Sequence, residues 1–271
     1  MSMPNSLLMD FTTPDLDRRF SGLDRLYGAG AWQSISQHHV VVAGIGGVGS
    51  WCAEALARSG IGHLTLVDLD HIAESNINRQ VHALGSTLGA SKVAVMAARV
   101  RDINPACQIT EVDDFVDAGN IQSILADHPP GVLIDCTDQV PAKIAMILQA
   151  RTSAWPMLCC GGAGGKTDPL SLRAGDLSEA AHDALLGRIR QTLRQQHGYP
   201  KGGATGGKPR QRVPRMKVQC LWFEQPVRLP EAWTAAAPQG LSCAGYGSSV
   251  TVTATMGLAA ANWALERCLA G

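Results

Sequence analysis

The chain has 271 residues, 23 acidic and 23 basic side chains, and 45% hydrophobic residues. This is enough for one large α/β domain or two small ones with a substantial core, in the composition range of an ordinary soluble globule. Eight cysteines without a Cys-x-x-Cys pair argue against structural zinc and a redox dithiol. The N-terminus shows no basic region leading into an apolar core and cleavage site, so the expectation is a cytoplasmic protein with reduced, mostly buried thiols.

In chain order, residues 23–35 read as an N-terminal helix and Val40-Val41-Val42-Ala43 as the first strand. That strand runs into Gly44-Ile45-Gly46-Gly47-Val48-Gly49-Ser50 and then a helical pattern over residues 51–59. His63-Leu64-Thr65-Leu66-Val67-Asp68 has the continuous apolar character of a buried parallel strand. A helix over 92–103 is expected to stop at Asn104-Pro105. A strand over 108–112, a helix over 120–126, a strand over 132–136, a helix over 141–151 and a strand over 157–160 follow. The last of these enters Gly161-Gly162-Ala163-Gly164-Gly165. Strands alternating with helices predict an α/β fold: a Rossmann-like, doubly wound, mostly parallel sheet flanked by helices, with a C-terminal extension. Residues 241–265 have few charges, but their Ala, Gly, Ser and Thr content suits a close-packed buried helix better than a membrane span.

Residues 188–217 contain nine Lys or Arg and no Asp or Glu, with glycine and proline concentrated near the middle. They read as a flexible basic loop, about 198–217, on a neutral protein. Such asymmetry suggests an anionic macromolecular partner, against the alternative of a merely solvated loop.

A strand feeding a glycine turn into a helix makes a phosphate cradle, because the turn lets backbone N–H groups and the positive end of the helix approach an anion. Gly44-x-Gly46-x-x-Gly49 followed by Asp68 fits the dinucleotide fingerprint, in which the acid binds ribose hydroxyls. An NAD-dependent oxidoreductase is therefore one reading. The downstream residues favour another: Asp68-Leu69-Asp70, Ser75-Asn76-Ile77-Asn78-Arg79-Gln80, Lys92, Asp135-Cys136-Thr137-Asp138 and Lys143. Cations together with a carboxylate at a strand's C-terminal edge suit a triphosphate and a metal, which hydride transfer does not require.

In the order of these motifs the chain resembles the ubiquitin-activating-enzyme-like superfamily, whose members adenylate a carboxylate with Mg-ATP. The resemblance implies a single adenylation domain over residues 1–271, using ATP and Mg²⁺. It implies that Gly44, Gly46, Gly47, Gly49, Asp68, Asp70, Asn76 and Asn78 bind the nucleotide, with Asp68 on ribose. Asn78, Arg79 and Lys92 would hold phosphates and Asp138 would bind Mg²⁺. An arginine that the family often supplies across a dimer interface maps onto Arg25 in Arg25-Leu26-Tyr27-Gly28 and implies a homodimer. The sulfur-carrier activators of this superfamily carry two zinc-binding Cys-x-x-Cys pairs, which this chain lacks.

A resemblance over nearly the whole length is to the bacterial tRNA threonylcarbamoyladenosine dehydratases. It is carried by the Arg25 and Gly44 motifs, Asn78-Arg79-Gln80-Val81-His82-Ala83-Leu84, Val112-Asp113-Asp114-Phe115-Val116, the 161–165 glycine run and Val252-Thr253-Ala254-Thr255. Departures are Gln139 and a long basic loop over 199–215. The resemblance implies ATP-dependent cyclisation of N6-threonylcarbamoyladenosine beside the tRNA anticodon through an acyl-adenylate, and a link to a cysteine-desulfurase sulfur-acceptor system. Neither DNA nor a membrane is an expected partner. The alternatives are adenylation of the terminal glycine of a ubiquitin-like sulfur carrier, or the oxidoreductase. Cys243 is a candidate nucleophile for a thioester, against the reading of a small buried thiol. Cys136 reads as core and His82 as a satisfied helix-side histidine without chemistry. The 161–165 loop reads as a site for a monovalent cation (Na⁺ or K⁺), a substrate entrance or a plain turn.

Overall fold

The structure is a computed structural model that describes residues 13–126, 131–202, 213–228 and 246–270. Its centre is a seven-stranded sheet of β1 (His39–Ala43), β2 (His63–Val67), β3 (Gln108–Val112), β4 (Val132–Asp135), β5 (Met157–Cys160), β6 (Leu172–Asp176) and β7 (Gln219–Phe223). The spatial order is β3-β2-β1-β4-β5-β7-β6. Neighbours are parallel except for β6 against β7. β1 and β4 carry the apolar runs Val40-Val41-Val42-Ala43 and Val132-Leu133-Ile134 because helices cover both sheet faces, leaving every residue of each strand buried.

The helices among the described residues are α1 (Leu16–Phe20), α2 (Gly22–Tyr27), α3 (Ala31–Ile35), α4 (Gly49–Arg58), α5 (Lys92–Ile103), α6 (Ile121–Ala126), α7 (Val140–Ser153), α8 (Ala184–Gln196) and α9 (Val250–Ala270). α4, α5 and α9 pack on one face, where Val93, Met96, Ala97 and Val100 make the inward stripe of α5. The opposite face carries α6, α7 and α8. Buried Glu54 on α4 joins α5 by accepting from Arg99 Nε at 2.6 Å and Nη2 at 3.0 Å.

The helix expected over 23–35 is two helices. Gly28 and Gly30 take φ of 107° and 81° between α2 and α3, a region a continuous helix cannot use. The expected basic loop also changes character. Residues 188–196 belong to α8, whose Leu186, Ile189 and Leu193 are buried at helical spacing. Arg190 donates to the carbonyls of Leu177 and Ala180, and Arg194 to that of Pro200. Beyond it Tyr199, Met216 and Val218 are core residues, so the exposed cations among the described residues here are Arg188, Lys201, Arg215 and Lys217. Lys208, Arg210 and Arg212 lie outside the described residues. The C-terminal extension takes the form of β6, β7 and α9, added to the same sheet and core.

The seven cysteines among the described residues are unpaired thiols, six of them buried and Cys136 partly so. Burial pushes the Cys107 thiol up to about 12 and that of Cys268 to about 11. The small residues of α9 serve close packing, and no helix among the described residues is long and apolar enough to cross a membrane. A Cβ on Gly257 would stand 2.4 Å from the Val48 carbonyl oxygen and 2.9 Å from Trp51 Cβ. Gly257→Ala therefore forces α9 off α4, and urea unfolding is expected to show a loss of about 2 kcal/mol or more. A variant as stable as the parent would contradict this contact.

Candidate active site

β1 and β4 lie side by side, and the chain departs from them toward opposite halves of the sheet. Their C-terminal ends therefore open a crevice at the topological switch point. The cleft has a volume of about 240 Å³, and its lining includes Gly44, Gly46, Gly47, Asp68, Asp70, Asn76, Arg79, Lys92, Thr137 and Asp138. A roomier cavity of about 540 Å³ opens beside Arg151, Tyr199 and Lys217 at the opposite end of the sheet, apart from all of these residues.

The glycines divide the work. Gly44 has φ 86°, and a Cβ there would meet the backbone of Cys136 and Thr137 at 2.9 Å, so β1 and β4 approach without a side chain between them. Gly49 lies outside the cleft lining and allows α4 to start against the Gly44 carbonyl, which a Cβ would overlap. Gly46 lines the cleft with nothing within 4 Å of its missing Cβ, leaving open space for a ligand.

Charge is arranged around this cradle. Asp68 accepts from the Ile45 amide at 2.6 Å and the Asp70 amide at 2.9 Å. Burial raises its pKa, with Lys92 and the two amides opposing that shift. Lys92 begins α5, is 5% exposed, and places Nζ 2.7 Å from Asp70 Oδ2 and 4.0 Å from Asp68 Oδ1. The Arg79 guanidinium donates to Ser75 O and Asn78 Oδ1, while its own carbonyl accepts from Trp51 Nε1 at 3.0 Å. Asn76 Oδ1 accepts from the Ala73 amide and closes the turn that delivers Arg79. Asn78 does not line the cleft. Its amide donates to Ser248 O and fastens the Arg79 segment to the approach to α9.

Asp138 is exposed on the cleft wall and accepts from Gln139 Nε2 at 3.2 Å. No group of three or more His, Cys, Asp or Glu side chains that could hold a metal occurs among the described residues. Mg²⁺ is commonly held by one or two carboxylates together with water and substrate phosphates, so a single carboxylate facing a nucleotide cradle fits it.

Lys143, grouped with the cleft cations in the sequence, is instead completely buried beneath them. It sits on the inward face of α7, with Nζ 3.0 Å from Asp135 Oδ2 and 2.7 Å from the Cys160 carbonyl oxygen. Burial works to lower its pKa, but the Asp135 carboxylate and the neighbouring Cys159 and Cys160 outweigh that and raise it. Asp135 Oδ1 accepts from the Thr137 amide and hydroxyl, so the pair supports the loop that carries Asp138. Arg25 is exposed on α2 and does not line its own chain's cleft. Cys243 lies outside the described residues.

His82 departs from the satisfied helix-side histidine expected. It lies in a turn, 1% exposed, with neither ring nitrogen hydrogen-bonded. Burial first, then the charges of Lys92 and Arg99, bring its pKa down to about 4. Gln80, next to Arg79 in the same motif, has no role that its residue type or spacing predicts. It lines the cleft, 5% exposed, with a buried Oε1 that accepts no hydrogen bond, an atom available to a ligand donor.

A small side pocket continues the cleft through Asp138, Gly162 and Gly164, and Lys166, His182, Val227 and Tyr246 also line it. Asp183 closes it, accepting from the Gly162 amide at 2.8 Å and, as N-cap of α8, from the Leu186 amide at 2.9 Å. Ser248 and Thr253 complete the cleft from the α9 side. These residues come from segments far apart in the chain, and only the fold brings them together.

The sequence model of the ThiF family matches residues 18–270. The chain is 39% identical over 262 residues to the tRNA threonylcarbamoyladenosine dehydratase of Escherichia coli, covering 93% of this chain and 94% of that protein. The protein of the same name from Haemophilus influenzae is 36% identical over 255 residues, with 93% and 94% coverage. Similarity to the molybdopterin-synthase adenylyltransferase of Escherichia coli, 32% over 111 residues, covers 41% of this chain and 44% of that one. Among solved structures, the chain is similar to E. coli tRNA N6-threonylcarbamoyladenosine dehydratase, TcdA, in complex with ATP. The TM-score is 0.81 at 37% identity, over 94% of this chain and 95% of that one. The complex of TcdA with AMP gives 0.80 at 38% identity, with the same coverage.

The buried imidazole makes a prediction about acid stability. Unfolded His82 titrates near 6.5 and folded His82 at about 4, so the unfolded chain holds the extra proton between those values. This contribution leaves stability level above about pH 6.5 and erodes it as pH falls toward about 4. His82→Gln should reduce that slope in urea unfolding series, and a slope identical to the parent's would exclude His82 as its source.

Proposed function

Because the chain belongs to the ThiF family, we propose that it is an ATP-dependent tRNA threonylcarbamoyladenosine dehydratase. The observation that carries this reading is the cleft itself, where a side-chain-free cradle at the switch point faces Arg79 and Lys92 from one side and Asp138 from the other. Similarity over nearly the full length to dehydratases supports it over adenylation of a sulfur carrier, as does the absence of paired Cys-x-x-Cys motifs.

In this reading the ATP ribose lies against Asp68 and the phosphates against the Gly44–Gly47 turn, Arg79 and Lys92. The phosphates compete with Asp70 for the Lys92 ammonium. Mg²⁺ held at Asp138 would offset negative charge on the phosphates. The threonyl carboxylate enters beside Asp138 and attacks the α-phosphorus. The bond to the leaving pyrophosphate breaks, and an acyl-adenylate forms. Arg79 and Lys92 stabilise the charge that develops on the phosphates. The ureido group of the same side chain then attacks the activated carbonyl and loses its proton, while AMP departs with the former carboxylate oxygen. The ring closes with net loss of water. Because nucleophile and electrophile share one side chain, the effective molarity is high and the wall around the side pocket has mainly to orient them. A thioester on Cys243 is not required.

Exposed Arg215 and Lys217 lie just before β7, at the end of the sheet opposite the cleft, and would offer their charges to tRNA phosphates. The reading includes a cytoplasmic homodimer in which Arg25 acts on the partner's cleft, and a sulfur-acceptor system as a physiological neighbour.

Incubation with threonylcarbamoyladenosine-bearing tRNA and Mg-ATP should yield AMP, pyrophosphate and a nucleoside lighter by one water on mass analysis. Turnover of a ubiquitin-like carrier but not of tRNA would reject the reading. Asp138→Ala is expected to fold and to lose about 100-fold or more in AMP formation, and parent-like rates in Mg²⁺ would remove its metal role. Mixing inactive Arg25→Ala with inactive Asp138→Ala should restore one competent site per heterodimer. Failure despite confirmed subunit exchange would count against action across an interface.

A further inference from the structure

We propose that the Lys166 ammonium is a built-in cation that replaces a free Na⁺ or K⁺ ion beside the 161–165 loop, clamping the wall of the acyl side pocket. Lys166 is 3% exposed, and its Nζ donates to the carbonyl oxygens of His182, at 2.8 Å, and Gln225. It forms no ion pair within 4.0 Å among the described residues. Nearby Asp183 instead uses its two oxygens on the amides of Gly162 and Leu186. A positive charge seated on neutral backbone carbonyls has the coordination chemistry of a monovalent ion. His182 has φ 56°, a left-handed conformation uncommon for a residue with a side chain, and its carbonyl is one of the two that hold the ammonium. Burial lowers the Lys166 pKa and Asp183 partly opposes that, in keeping with a cation held chiefly by dipoles.

The clamp joins three separate segments. Lys166 follows the glycine loop, His182 precedes α8, and Gln225 follows β7. Gln225 also takes the Thr167 and Asp168 amides on Oε1, and Gly165 exchanges backbone bonds with Gly247 and Arg228. Together these segments wall the pocket that opens at Asp138. Lys166 is thus a positioning residue, and its ammonium already engages the His182 and Gln225 carbonyls. The inference rests on the ATP-dependent reading of the cleft for its effect on turnover, but not for its effect on stability.

The full chain, Lys166→Ala and Lys166→Met are compared in KCl, NH₄Cl and choline chloride at equal ionic strength. The readouts are melting midpoint, ATP affinity and AMP formation. The parent should respond alike to all three salts. Lys166→Ala should melt a few degrees lower in choline chloride and lose on the order of tenfold in AMP formation, with KCl or NH₄Cl restoring both. Lys166→Met, which fills the space without a charge, should show the loss without the rescue. A parent that itself requires KCl, or a Lys166→Ala variant indifferent to the salt, overturns the proposal. The melting readout decides this even if tRNA proves not to be the substrate.

Discussion

The site depends on two strand exits meeting without a side chain between them. Gly44 leaves β1 at a positive φ directly against the Cys136–Thr137 backbone, and α4 can begin there because Gly49 also has no Cβ. The Asp135–Lys143 pair fixes the other side of this contact. Both charges are fully buried, each satisfies the other, and the remaining Asp135 oxygen holds Thr137. Removing one partner from such a pair costs about 3–5 kcal/mol, because the other is left buried and uncompensated. Its importance lies in holding the Asp138 loop in register with the glycine turn.

Around that contact the molecule has two unlike halves. The nucleotide half is local, built from β1, β2, the turn through Asn76 and the start of α5, and its charges are held by backbone amides and by one another. The half facing the acyl group is assembled from the glycine loop, the α8 start, the segment after β7 and the approach to α9. Its cohesion comes from polar ties between distant segments. In the proposed function the first half would serve any carboxylate activated by ATP, and the second would determine which carboxylate fits. A chain with no net charge thus gathers Arg79, Lys92 and the carboxylates of Asp68, Asp70 and Asp138 around one cleft.

Strands β1, β2, β4 and β5 were legible because burial leaves a largely continuous apolar signature. β3 is instead an exposed edge strand whose Ile109 and Val112 are only partly buried, and its place follows from the helix that stops at Asn104-Pro105. β6 was hidden: its Leu-Arg-Ala-Gly-Asp sequence is an antiparallel edge strand that is mostly exposed. α8 was obscured by its arginines, although Leu186, Ile189 and Leu193 were already at helical spacing. The charged positions of the site were readable as residue types, since few other arrangements gather cations and carboxylates at strand ends. Their pairings were not. That Lys143 answers Asp135 under the floor, while Lys92 reaches Asp70 at the rim, follows from which face of each helix turns inward. Lys166 gave no signal at all, since its acceptors are backbone carbonyls of two remote segments.

The thiols of the interior have a practical consequence. Each described cysteine other than Cys136 is shut away from solvent, and burial holds the thiols of Cys107 and Cys268 in the protonated, poorly nucleophilic form. An alkylating reagent added to the native protein can reach these sulfurs only when the surrounding element opens. Cys268 marks the end of α9, Cys107 the turn before β3 and Cys220 the first half of β7. Modification rates read site by site would therefore chart the order in which parts of the molecule come apart.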